Sequence, residues 1–399
     1  MANVQNQTRR HNDSMRQVTH VNSYNIHNFF NESSGNLLIT GGLEQKRHFC
    51  LLDYIINARA QSHKPVIVFT DKPQTEQSLI SLAQQGLIGQ FYVCSPTYKG
   101  YSFFKDMRTN LICDFFNDLA LDGGAHDITS LDSFTNVLLS IVASRGDMNL
   151  YSICGMAHLS DAELADLAQD PLERQLIQAS SAGGVAFRNH IHRAYKAFSE
   201  IATDNPESDF CISKLVNGSC EEYDGNAVIL VNIPTYNHKF FSLYFAKELE
   251  AMLGYSFTCI FDDSIMLMCD KMRRVVELMK QRSQITLAVS HENVYSLDDP
   301  EEFLRNFNRN IVLLNGNSAY SDLQNVLDSF GEYTHMDAMV SKTTPQHLLF
   351  SVRRSEAEAP VSYQRSRVLI QEESNSEALL KGGSSAEIVI TRRLRTQFD

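Results

Sequence analysis

The residues best placed to do chemistry begin at Asn36, where the stretch NLLITGGLEQKRH runs to His48. Loops that hold phosphate read G-x-x-x-x-G-K-[ST] between a buried strand and the start of a helix. In such a loop the backbone N–H groups face the phosphate oxygens, and the lysine reaches the β and γ oxygens. Counted from Gly41, with Gly42 beside it, the second glycine position holds Lys46. The lysine position holds Arg47 and the Ser/Thr position holds His48. The setting fits and the letters do not. A side chain at Lys46 crowds a loop that works by close backbone approach. The planar fork of Arg47 is larger than a lysine ammonium and reaches differently.

Two further polar pairs close apolar runs. Asp71-Lys72 follows VIVFT, and Asp262-Asp263 follows FTCIF. Ligands of open α/β sheets sit at the carboxyl ends of strands, so both pairs are candidate contacts. One acid there can place Mg²⁺ and a second can orient an attacking water. The alternative is plainer: either pair can cap the following helix or line a solvated turn.

Other constellations carry less. His190-x-His192 falls at i and i+2 of a helical pattern, so the two rings point to different sides and no metal site is expected. Ser290-His291-Glu292 are adjacent and cannot form a catalytic triad as they stand. There is no G-x-S-x-G elbow and no G-x-G-x-x-G fingerprint, which ranks a dinucleotide or small-molecule enzyme last.

The elements that must position these residues alternate regularly. Strands are expected at 37–40, 65–70 and 90–94, with helices at 46–61 and 74–85 between them. Continuous apolar strands alternating with helices specify a mostly parallel sheet covered on both faces. From residue 130 to 203 the pattern is purely helical, with Ser160 or Asp161 as a helix cap and Glu163 in its first turn. Alternation resumes with strands at 227–232, 256–261, 285–290 and 311–314. Helices are expected at 240–253, 266–281, 300–307 and 321–330. The expected organisation is a flexible polar arm, or else an added edge element, over 1–30, an α/β domain over 31–129 and 204–352, and a helical insertion over 130–203. A charged tail over 353–399 would be partly disordered, with an edge strand near 387–390.

The chain has 399 residues, 43% hydrophobic and 21% charged, with a formal net charge of −12. That is the composition of a soluble globular protein. The acidic balance argues against a broad nucleic-acid surface, although a local basic pore in an oligomer stays open. No apolar run is long enough to span a bilayer and the first residues are polar, so a cytoplasmic location is expected. The eight cysteines are scattered without a C-x-x-C pair, which points to buried thiols.

Taken in order, these features resemble the FtsK/HerA-type P-loop ATPases, most of all the conjugative coupling proteins (TraD/TraG type) of type IV secretion. The resemblance covers roughly residues 35–335. It runs through the loop at Gly41, the Asp71-Lys72 turn, Cys94-Ser95-Pro96, the helical insertion, Ile233-Pro234 and the acidic strand CIFDDS. It implies a RecA-like P-loop NTPase fold, ATP or ADP with Mg²⁺ as cofactor, and protein partners such as an active motor or secretion component. It also implies nucleotide contacts at Gly41, Gly42, Lys46, Arg47, His48, Asp71 and Lys72, with Asp262 and Asp263 as catalytic acids. The departures are systematic. Lys46, Arg47 and His48 replace the loop letters, Asp263 stands where the family has Glu, and Ser290 or His291 stands where it has Gln. No counterpart of the family's transmembrane anchor is expected, since no apolar run of the sequence is long enough to span a bilayer. The expected function is therefore a non-hydrolysing relative, either holding ATP or ADP with Mg²⁺ or holding no cofactor, that acts in assembly, docking or regulation. The alternative is an active, atypical DNA or protein translocase, with Arg273, Arg274 or Arg282 as arginine fingers.

Overall fold

The fold was analysed in a computed structural model of the chain. It describes residues 18–21, 23–32, 34–124, 128–146, 148–205, 208, 210–218, 226–297, 300–305, 307–313, 332–340, 354–362, 378–381, 388–391 and 393–399. The chain divides into two compact units, 1–54 with 290–399, and 55–289. Both are built on strands flanked by helices, as the alternation predicts.

The second unit carries β4 (Val66–Thr70), β5 (Phe91–Cys94), β6 (Val228–Asn232), β7 (Phe257–Asp262) and β8 (Ile285–His291), the last of which runs on into the first unit. Their order is β8-β7-β4-β6-β5, with β4 parallel to both β6 and β7, and β5 parallel to β6. Every residue of β4, β6 and β7 is buried, which is why these runs are continuously apolar rather than alternating. The register sets Thr70 beside Asn232 on one side and Asp262 on the other. Three polar residues thus end three adjacent strands at the same level.

Between β5 and β6 the described chain is helical, with helices that include Thr129–Arg145, Leu150–Ala157, Asp161–Leu167, Pro171–Ala179 and Ser181–Phe198. Ser160 is the cap of the third of these, in a reciprocal capping box with Glu163. Gly183 lies against the Thr129–Arg145 helix so closely that a Cβ would come 2.1 Å from the Ser130 carbonyl oxygen. The aromatic core includes Phe103 stacked on Phe198 at 4.1 Å, with Tyr244 edge-on to Phe104.

The first unit carries β1 (Val18–Val21), β3 (Leu37–Gly41), β9 (Arg309–Leu313), β12 (Ala378–Lys381) and β13 (Ile388–Thr391) in the order β1-β13-β12-β9-β3. β3 and β9 are parallel, and β12 is antiparallel to both of its neighbours. A short pair joins β2 (Tyr24–Asn25) to β14 (Leu394–Arg395), and β10 (Glu332–Val340) pairs with β11 (Arg354–Ser362).

Four local expectations differ from what is found. Residues 18–32 are not a flexible arm but take the alternative form of an added edge element: β1 is the outermost strand of its sheet, followed by β2 and a helix over Ile26–Glu32 that buries Ile26, Phe29 and Phe30. The strand near 387–390 is not at an edge, because β1 pairs along its outer side. Parts of 353–386, within the tail expected to be partly disordered, are the strands β11 and β12. The helix over 266–281 is broken. Ser264 caps a 3₁₀ turn over Ile265–Met268, Cys269 is extended, and the helix restarts at Asp270. The helix read over 321–330 lies outside the described residues. Among the described residues no helix is long and apolar enough to cross a membrane.

Candidate functional site

The loop after β3 is built on two left-handed glycines, Gly41 at φ +76° and Gly42 at φ +66°. L side chains rarely adopt that conformation, so the glycine pair is required by the backbone. Its interior is filled by a side chain of its own helix, Glu44–Gln61. Nη1 of Arg47 donates to the carbonyls of both Gly41 and Gly42 at 3.0 Å, and Arg47 is only 2% exposed. The Glu292 carboxylate lies 3.9 Å from the guanidinium. The Gly41 N–H donates to the Glu292 carbonyl at 3.2 Å, and the N–H groups of Lys46 and Arg47 both go to the Leu43 carbonyl.

The other two replaced positions are buried as well. Lys46 is 6% exposed and places Nζ 2.5 Å from Asp399 Oδ1. His48 is buried, its ring 6.3 Å from that of Phe49. The segment 393–399 binds the same helix at further points. Phe398 packs on Phe49 at 5.8 Å, and the Gln397 N–H donates to Asp53 Oδ2 at 3.1 Å. Burial pushes the Asp53 carboxyl up to about 6, against the pull of the Gln397 amide and His27. Burial raises Asp399 too, but the hydrogen bonds from Lys46 and the Thr396 N–H outweigh it and leave the carboxyl below its usual value.

In the second unit the acid at the end of β7 is enclosed. Asp262 is 2% exposed and its Oδ2 accepts from Thr75 Oγ1 at 2.5 Å and from Thr70 Oγ1 at 3.4 Å. Burial pushes it up to about 6, opposed by the Thr75 hydrogen bond and the charge of Lys72. Asp263, at φ +44°, is strained for a residue with a side chain, and its carboxylate accepts from Lys72 Nζ at 2.7 Å. Asp71 is half-buried and raised by burial, with the Ile265 N–H as its partner. Beside these, Glu76 accepts from Asn232 Nδ2 at 2.6 Å and Ser95 Oγ at 3.1 Å.

The predicted residues thus fall into two groups in different units: Gly41, Gly42, Lys46, Arg47 and His48 in one, and Asp71, Lys72, Asp262 and Asp263 in the other. Sequence reading missed Thr75, Glu76, Asn232 and Asp399, and it named Ser95 and Glu292 without giving them these contacts. Thr75 and Glu76 follow the Pro73 that starts a helix, a position that marks the first turn. No local signal links Asp399 to Lys46. Ser290 Oγ is buried and lacks a hydrogen-bond partner among the described residues, and His291 Nδ1 accepts from the Asn293 N–H. Among the described residues no cluster of His, Cys, Asp and Glu could hold a metal ion.

No family model matches the sequence, and no curated protein matches it. Solved structures do resemble it. The bacterial conjugative coupling protein TrwB, in a form lacking 70 N-terminal residues, is similar with a TM-score of 0.59 at 13% identity, over 90% of this chain and 84% of that one. TrwB in complex with ADP and Mg²⁺ is similar with a TM-score of 0.57 at 12% identity, over 91% and 85%. VirB4 of Thermoanaerobacter pseudethanolicus follows with a TM-score of 0.55 at 10% identity, over 91% and 90%. These likenesses establish the fold: a mostly parallel, mixed sheet flanked by helices, of the kind found in TrwB and VirB4.

Proposed function

We propose that this chain is a coupling-protein-like relative of the P-loop ATPases that has given up nucleotide hydrolysis and serves as an assembly, docking or regulatory component of a type IV secretion-related machine. The single observation that carries this reading is the buried Arg47 guanidinium, which donates to the carbonyls of Gly41 and Gly42. A phosphate cradle needs backbone N–H groups turned to the anion and a lysine free to reach it. Here a cation sits on the carbonyls of the glycine turn, and Lys46 is engaged by Asp399. The loop has the wiring of a structural turn, and its residues do not fit a triphosphate.

The state of the acids supports the same reading. Asp262 is enclosed and receives two hydroxyl donors, so it acts as an acceptor holding Thr70 and Thr75. Asp263 is occupied by Lys72. TrwB has been seen with ADP and Mg²⁺. For this chain, burial and pairing of the corresponding groups argue against that cofactor. The partners would be proteins, either copies of this chain or an active motor, and the expected place is the cytoplasmic side of such a machine.

Calorimetric titration with ATP and with ADP, each with and without Mg²⁺, tests the reading. No Mg²⁺-dependent binding is expected. Mg²⁺-dependent binding with turnover overturns it in favour of an atypical translocase, and the Asp262→Asn variant would then abolish that turnover.

A further inference from the structure

The helical region between β5 and β6 contains an open cleft of about 340 Å³ between the helices Leu150–Ala157 and Ser181–Phe198. That is the lower end of the ~300–1,000 Å³ usual for small-molecule sites. Its floor is apolar, made by the buried Ala157 and Ile191. Its walls are rings. Tyr151 and Tyr195 stand at one end, edge to face at 6.2 Å, and His158 and His192 line the rest. His192 is the exposed member of the His190-x-His192 pair.

Both ends of the cleft are held open by bonds rather than by the cleft's own contents. The Tyr151 hydroxyl donates to the Thr203 carbonyl. Arg188 donates to the carbonyls of Ala157 and Leu159, pairs with Asp161 at 2.7 Å, and stacks over Phe134. The cleft is therefore pre-formed. These same bonds settle the charge of the site, because Asp161 and the two carbonyls already satisfy the Arg188 cation. Cys154, also in the lining, has its thiol pushed up to about 12 by burial and is no nucleophile.

We infer that this cleft binds a neutral, planar heteroaromatic ligand of nucleoside size. Ring faces supply stacking, which is tolerant of the exact ring system. The ring nitrogens of an imidazole can donate and accept hydrogen bonds, matching the mixed edge of a heterocyclic base. With Arg188 engaged by Asp161 and two carbonyls, the lining holds no other lysine or arginine to pair with a phosphate or carboxylate. The site is separate from the glycine loop, in the other unit of the chain, and the inference does not depend on whether that loop binds nucleotide.

The test is titration of the full chain with adenosine, read by the imidazole Cε1–H resonances of His158 and His192. These signals report the cleft alone, whatever happens at the loop. Saturable shifts are expected at an affinity on the order of 0.1 mM. The double variant Tyr195→Ala with His192→Ala, both exposed and so near-neutral for folding, should weaken binding about tenfold or more. Tyr195→Phe should retain it, and ATP should shift the same signals no more tightly than adenosine. No saturable shift up to about 10 mM adenosine overturns the inference. So does undiminished affinity in the double variant, or markedly tighter binding of ATP than adenosine at these two histidines.

Discussion

Lys46 and Asp399 stand 353 positions apart in sequence and meet at 2.5 Å, so the chain closes a charge pair over the position where a phosphate-binding loop carries its second glycine. The lysine is nearly buried, so its ammonium has little water to replace the lost carboxylate. Asp399→Ala should lower stability by about 1–2 kcal/mol. Asp399 is held below its ordinary value by Lys46 and the Thr396 N–H. Its contribution is therefore present above pH about 4 and lost as pH falls through the lowered folded value. Thermal unfolding of both proteins from pH 7 to pH 3 checks this. Equal curves above pH 5 would show the pair to be inert.

Arg47 is expected to be a structural residue. Arg47→Met removes the donor that joins the carbonyls of Gly41 and Gly42, and leaves two buried acceptors. The cost should be about 2–4 kcal/mol. Arg47→Lys keeps the charge but not the fork, and should fall between the two. Urea unfolding gives the order directly. A variant as stable as the parent would mean that the loop does not depend on its plug.

The Asp262 carboxylate should matter for stability and not for turnover. Thr75→Val, which removes the 2.5 Å donor, and Asp262→Ala should each cost about 1–3 kcal/mol, because each leaves a buried partner unpaired. The double variant should cost less than the sum, since the two residues share one interaction. A double-mutant cycle with no coupling would contradict the role given to Thr75.

How much of this was legible beforehand divides by distance along the chain. The strands at 66–70, 228–232 and 257–262 were readable because full burial leaves an unbroken apolar run. The Ser160–Glu163 capping box was readable because its two residues lie within one turn. The misfit of Lys46, Arg47 and His48 was visible, but what the misfit does was not. Arg47 turns back five and six residues onto its own loop, and a residue type does not specify that direction. The Asp399 contact, the β1–β13 pairing and the place of β13 inside its sheet depend on segments hundreds of positions apart. No local pattern encodes such pairings.

Glu248 gives a pH signature elsewhere in the second unit. Its carboxylate accepts from Tyr101 Oη at 2.5 Å and from the Ser213 N–H at 3.2 Å, and burial pushes it up to about 7 in spite of these donors. A carboxyl raised in the folded state binds protons that the unfolded chain has released. Stability should therefore fall as pH rises from about 4.5 to about 7, and level off above that. The shift corresponds to a change on the order of 3 kcal/mol. Glu248→Gln should flatten this interval whatever its effect on absolute stability. A slope between pH 5 and 7 that is the same in both proteins would contradict the assignment.

The central claim is that the glycine loop holds a side chain instead of a phosphate. Calorimetric titration of the unmodified protein with ATP and Mg²⁺ addresses it most directly. The account expects no Mg²⁺-dependent heat at the loop and no phosphate release above background. Binding that requires Mg²⁺, is accompanied by phosphate release and is lost in Asp262→Asn would contradict it.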